Sequence, residues 1–175
     1  ERPEPQSLLA FGNPKTIGSQ TNDAKLRSFL ADASMPPLGP LPQSAREVAT
    51  IAQLLHGRLQ TSVLTGEEAR ESAFSERAGS AGYLHFAVHA LIDEQQPYYS
   101  ALVLSPDQES DGLLQAYEIM PMHLNARLVT LSACETALGR LYKGEGLLGL
   151  RRAFLMAGAE AVVVSFWSID DSTAD

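Results

Sequence analysis

The chain has 175 residues, of which 45% are hydrophobic, and this length and composition fit one globular domain. The formal net charge of −8 argues against a nucleic-acid-binding surface or an anionic-membrane-binding surface, because both need clustered Lys and Arg. No run approaches the ~20 consecutive apolar residues of a membrane span. The one cysteine cannot form an intramolecular disulfide. We therefore expect a cytoplasmic protein without nucleic-acid or membrane partners.

The two ends of the chain are the basis for an expectation about its domain organisation. The sequence opens ERPEPQ, without a methionine, and closes SIDDSTAD. We expect residues 1–175 to be a single domain from a longer chain, with the C-terminal part of that domain cut off. A proline-rich stretch near 32–42 is expected to be a loop.

The pattern of apolar residues predicts strands and helices that alternate along the chain. Short apolar runs bounded by Gly, Pro, Asn or Asp predict strands, and apolar residues at three- and four-residue steps predict helices. In chain order the prediction is strand 7–14, loop 15–42, helix 43–58 with Ser44 as N-cap and Gly57 at its C-terminal end, strand 62–66, helix 67–79, strand 83–90, strand 101–105 as one arm of a hairpin, helix 113–120, strand 126–134, helix 145–158 and strand 159–167.

Several of these strands are apolar on both faces, which is typical of a parallel sheet buried between two layers of helices. The sequence therefore predicts an α/β fold with a mostly parallel central sheet covered by helices on both faces. In such sheets, ligands bind outside the carboxyl ends of the strands.

Two reactive side chains fall at predicted strand ends. His89 ends the strand YLHFAVHA and Cys134 ends RLVTLSAC. If these strands are neighbours, thiol and imidazole meet at one edge of the sheet, in an arrangement that suits nucleophilic catalysis. The alternative is that Cys134 is a small core hydrophobe. His85 lies about 13 Å upstream of His89 at ~3.3 Å per residue, so we interpret it as a hydrogen-bonded core histidine.

Metal and nucleotide sites are not supported by the sequence. A zinc site built from the two histidines and Cys134 would lack a fourth ligand. The stretch GRLYKGEG lacks the G-x-x-x-x-G-K-[ST] spacing of a phosphate loop. We expect no metal and no cofactor.

Nearly the whole chain resembles the CHAT family, whose members are caspase-like domains that are often attached to tetratricopeptide repeats. The resemblance covers about residues 8–175, and its blocks occur in the order and spacing of the family. They are GNP (12–14), LPQSAREV (41–48), LTGEEA (64–69), LHFAVHA (84–90), the SACET block around Cys134, and the segment from GEG to Trp167.

The resemblance implies a caspase-like fold and a cysteine endopeptidase dyad. The second histidine of the family's H-x-A-x-H-G block falls on His89, and the cysteine of its SACET block falls on Cys134. The backbone N–H groups of Ala90 and Cys134 would hold the oxyanion. The family usually has glycine where this sequence has Ala90, so a requirement for positive φ there would strain the oxyanion hole.

Acidic residues near the strand ends are candidates for a substrate pocket. Glu135, Asp93 and Asp170 would suit a basic substrate residue, as in some relatives of caspases, or they are solvated or capping carboxylates. Trp167 is a pocket candidate because the resemblance places it near the substrate groove.

The predicted function is hydrolysis of peptide bonds in protein substrates, regulated by flanking regions that we expect to be helical repeats. The alternative is a catalytically inactive caspase-like scaffold or signalling module.

Overall fold

The computed structural model describes residues 6–15, 38–132, 134–135 and 145–165. In chain order their elements are β1 (Ser7–Pro14), α1 (Pro42–Leu54), β2 (Gln60–Gly66), α2 (Glu71–Arg77), β3 (Tyr83–Ala87), β4 (His89–Leu91), β5 (Ala101–Val103), β6 (Leu113–Gln115), α3 (Ala116–Ile119), β7 (Leu128–Leu131), β8 (Cys134–Glu135), α4 (Glu145–Met156) and β9 (Val162–Val164). Short 3₁₀ helices span Ala78–Ser80 and Pro97–Tyr99. No helix in these ranges has both the length and the apolar character needed to cross a membrane.

The central sheet is parallel, as predicted, and its strands lie in the order β2-β1-β3-β7-β9. The chain leaves β1 toward β2 on one side and returns to β3 on the other side. In doubly wound sheets, such a reversal opens a crevice at the carboxyl ends of the two central strands. Here those strands are β1 and β3.

Helices cover both faces of this sheet, which confirms the predicted α/β architecture. Successive residues of a strand point to opposite faces. On one face, Leu8 and Ala10 of β1 pack with Val48 of α1. On the other face, Phe11 of β1 lies in a larger core with residues of α2 and α4.

Four phenylalanines form the centre of that larger core. Phe11 stacks on Phe86 of β3, with ring centroids 5.1 Å apart. Phe74 of α2 and Phe154 of α4 make edge-on or tilted contacts with this pair. Each of the four side chains is fully buried, so the aromatic cluster joins both helices to the sheet.

The predicted strand 83–90 is two strands that belong to different sheets. Val88 separates β3 from β4, and β4 joins a second sheet with the order β6-β5-β4-β8. In this sheet β5 pairs antiparallel with both β4 and β6, which confirms the predicted hairpin arm. The predicted strand 126–134 divides in the same way, into β7 and β8. The predicted helix 113–120 is helical only in α3, because its first residues form β6.

Helix α1 begins differently from the prediction that Ser44 is its N-cap, which is wrong. The N-cap is Leu41, and Pro42 occupies the first turn, where its lack of an N–H costs no hydrogen bond. The hydroxyl of Ser44 instead donates to the carbonyl of Leu41, at 2.9 Å. The helix ends at Leu54, and Gly57 follows with a φ of 78°, close to the predicted end.

A buried carboxyl group ties α2 to the β5–β6 hairpin. Glu71, the first residue of α2, accepts the N–H of Gly112 at 3.1 Å. Burial raises the pKa of Glu71 to about 7, and the negative charges of Glu118 and Asp111 act in the same direction. The hairpin contact therefore depends on a group that titrates near neutral pH.

We expect the free energy of unfolding to fall as the pH rises from about 4.5 to about 7, because the folded state binds the proton of Glu71 more tightly than the unfolded state does. Glu71→Gln should remove this fall and raise stability at pH 8 by up to about 3 kcal/mol. Urea unfolding at several pH values measures both effects. Glu76→Gln, an exposed position on the same helix, is the control. An unchanged pH profile in Glu71→Gln would contradict the assignment.

Candidate functional site

Two short neighbouring parallel strands, β4 and β8, begin with His89 and Cys134. Strand β4 pairs parallel with β8, and His89 is the Cα partner of Cys134 in that register. Adjacent strands lie about 4.8 Å apart, so the two backbones are side by side. The two residues are neighbours, as the catalytic arrangement required, but each begins a short strand, whereas the sequence predicted that each ends one. The catalytic roles of the two residues stay a prediction.

The imidazole of His89 is held by a backbone carbonyl. The side chain is buried, and its Nε2 lies 2.7 Å from the carbonyl oxygen of Gly39. A carbonyl oxygen only accepts hydrogen bonds, so Nε2 carries the hydrogen. In the neutral ring the lone pair is then on Nδ1, which becomes the basic nitrogen.

The segment that carries Gly39 is fixed to the end of β1. The side-chain oxygen Oδ1 of Asn13 accepts the N–H of Leu41 at 2.8 Å. The N–H of Asn13 donates to the hydroxyl of Ser44, also at 2.8 Å. Asn13 has a φ of 43°, a left-handed conformation that asparagine tolerates better than most residues. The end of β1 thus positions the chain that orients His89.

His85, the first histidine of the H-x-A-x-H-G block, contacts different residues from those that hold His89. It lies in β3, is 8% exposed, and its Nε2 donates to Oε1 of Glu47 at 2.8 Å. The other oxygen of Glu47 accepts from the hydroxyl of Ser132 at 3.3 Å. The interpretation of His85 as a hydrogen-bonded core histidine is confirmed.

The chain matches the family model described as CHAT domain over residues 1–175. It belongs to the CHAT domain family.

The curated relatives of this CHAT domain are much longer proteins. Tetratricopeptide repeat protein 28 of Mus musculus is 25% identical over 197 residues, and the match covers 91% of this chain and 8% of the relative. The human protein of the same name is 27% identical over 201 residues, covering 90% of this chain and 8% of the relative. This CHAT domain is thus similar to a small part of proteins that are named for tetratricopeptide repeats.

The alanine that replaces the usual glycine of the CHAT motif is not strained. Ala90 lies in β4 between Leu102 of β5 and Glu135 of β8. Among the described residues other than glycine, only Asn13 has a positive φ. Ala90 therefore has ordinary strand geometry, and the condition for a strained oxyanion hole is not met. The oxyanion role of the N–H groups of Ala90 and Cys134 stays a prediction.

The structure accounts to different extents for the four proposed pocket residues of the CHAT domain. The Oδ1 of Asp93 accepts the N–H groups of Gln95 and Gln96, at 2.9 and 2.8 Å, so this carboxylate caps a turn. Glu135 is placed only by its strand register opposite Ala90. Trp167 and Asp170 lie outside the described residues. Within the described ranges, no cluster of three or more His, Cys, Asp or Glu side chains could hold a metal ion.

Proposed function

We propose that this CHAT domain is a cysteine endopeptidase in which Cys134 is the nucleophile and His89 is the general acid and base. The observation that supports the proposal is the register that pairs His89 with Cys134, the first residues of β4 and β8, just beyond the carboxyl ends of the paired parallel strands β3 and β7. The hydrogen bond from His89 Nε2 to Gly39 adds to it, because it leaves Nδ1 as the basic nitrogen.

The reaction would proceed in two steps through a thioester. His89 takes the thiol proton, and the sulfur of Cys134 attacks the carbonyl carbon of the scissile peptide bond. The N–H groups of Ala90 and Cys134 would stabilise the negative oxygen of the tetrahedral intermediate. The C–N bond breaks as His89 returns the proton to the leaving amine. Water, deprotonated by His89, then attacks the thioester, which releases the carboxylate product and restores the thiol.

The setting of the reaction is also part of the proposal. Glu135, Asp93, Trp167 and Asp170 are candidates for contacts with a protein or peptide substrate. Helical repeats, as in the names of the curated relatives, would control access to the site. A cytoplasmic location is part of the proposal, because thiols stay reduced in that compartment.

The burial of His89 favours a second candidate function. The residue is only 3% exposed, whereas a general base must approach both the thiol and the leaving group of a bound substrate. A CHAT domain that never opens this site would serve as a scaffold or signalling module, with His89 and Cys134 kept for packing.

The rate of alkylation of Cys134 separates the two functions. At pH 6.5 an ordinary thiol is only about 1% ionised, and the thiolate is the reactive form. We expect iodoacetamide to modify the native protein at least about tenfold faster than the same protein unfolded in urea. Mass spectrometry gives an unambiguous result, because the chain has one cysteine. Slower reaction in the native state would overturn the proposal in favour of the scaffold.

A further inference from the structure

We propose that Asn13 is a positioning residue that fixes the orientation and tautomer of His89 through the backbone of residues 39–41. The inference deepens the proposed function and rests on it for its effect on catalysis. The effect of Asn13 on the orientation and tautomer of His89 does not depend on catalysis.

Two hydrogen bonds connect the side chain of Asn13 to His89 without direct contact. Asn13 Oδ1 accepts the N–H of Leu41 at 2.8 Å. Two residues earlier in the chain, the carbonyl of Gly39 accepts from Nε2 of His89 at 2.7 Å. The position of that carbonyl decides which ring nitrogen carries the hydrogen. If the 39–41 segment were displaced, His89 would lose this preference and populate both neutral tautomers.

A third hydrogen bond, made by the backbone N–H of Asn13, ties this residue to α1. Its N–H donates to the hydroxyl of Ser44, which lies in the first turn of that helix. The adjoining Gly12 allows the close approach, because a Cβ at Gly12 would lie 2.8 Å from the carbonyl oxygen of Ser44. The end of β1, the 39–41 segment and the start of α1 are thereby held as one unit around Asn13.

Few residue types meet both requirements at position 13. The backbone needs a positive φ, here 43°, and the side chain needs a short acceptor that reaches the N–H of Leu41. Asparagine and aspartate satisfy both. Glycine satisfies only the backbone requirement.

This difference defines the test, made on the full-length protein. Asn13→Gly keeps the backbone freedom and removes the acceptor, while Asn13→Asp keeps both. Nitrogen-15 NMR of His89 should show a single tautomer with hydrogen on Nε2 in the wild type and in Asn13→Asp. Asn13→Gly should show the two ring nitrogens converging toward a mixture of tautomers. The kcat for a peptide substrate should fall about tenfold in Asn13→Gly with KM nearly unchanged, and Asn13→Asp should stay within about twofold of wild type.

Asn125→Ala is the matched control, because the side-chain amide of Asn125 donates a hydrogen bond to the carbonyl of Gly79, away from His89. It should leave both the tautomer and kcat unchanged. A single Nε2–H tautomer in a folded Asn13→Gly variant would overturn the positioning role. If the wild type cleaves no peptide, the proposed function fails, yet the NMR comparison still decides the role of Asn13.

Discussion

Replacing Cys134 with alanine is expected to reduce peptide hydrolysis to background, a loss of at least about 10³-fold in kcat/KM, because loss of a nucleophile can cost on the order of 10⁶ in kcat. Within these 175 residues no other thiol can substitute, since Cys134 is their one cysteine. The measurement is cleavage of a diverse peptide library by the full-length protein and by the variant in parallel. The same experiment would identify the residue preferred on the amino side of the cleaved bond.

Two further variants distinguish lost chemistry from lost structure. Cys134→Ser preserves nearly the same volume and should unfold at the wild-type temperature while losing almost all activity. His123→Ala, at an exposed position, should retain wild-type cleavage. Cleavage that persists in Cys134→Ala would contradict the assignment of the nucleophile.

The architecture could be predicted because hydrophobic periodicity reports which faces are buried. Leu8 and Leu9, for example, pack on opposite faces of β1, as a strand between two helical layers requires. The division of 83–90 at Val88 could not be predicted in the same way. An apolar run looks alike whether it stays in one sheet or passes into another. The change of sheet depends on the distant β5, which pairs with Ala90.

The candidate site was predictable only where it consists of reactive side chains. His89 and Cys134 were recognisable from their positions at strand ends and from the CHAT resemblance. Gly39 was missed because it acts through a main-chain carbonyl, 50 residues from His89 in sequence. Asn13 and Pro14 marked the end of the predicted strand, but nothing in the sequence indicated that the asparagine side chain would accept the N–H of Leu41. Ser44 satisfied the N-cap rule locally, yet its hydroxyl bonds to Asn13 and Leu41 instead.

Replacing His89 with alanine is expected to lower kcat/KM by about 10²–10⁴-fold, the range over which a positioned general acid and base contributes. The residual activity should increase with pH well above neutrality, because without the imidazole the thiol ionises near its ordinary pKa of about 8.5. Initial rates of peptide cleavage between pH 5 and pH 10 measure both effects. This range spans the ordinary pKa values of a histidine and a cysteine side chain, about 6.5 and about 8.5. The altered pH profile is the deciding result, because a simple packing defect would lower the rate at every pH without shifting its pH dependence.

His85→Gln is the matched control for this prediction. Gln can still donate to Glu47, so the hydrogen bond of the core histidine at 2.8 Å has a replacement. Because His85 lies in β3 and not in the strand paired with Cys134, its loss should cost less than about tenfold in activity. Equal losses in the two variants would assign both histidines to stability and would remove His89 from the chemistry. A large loss with an alkaline shift in His89→Ala alone would identify His89 as the residue that prepares Cys134 for attack.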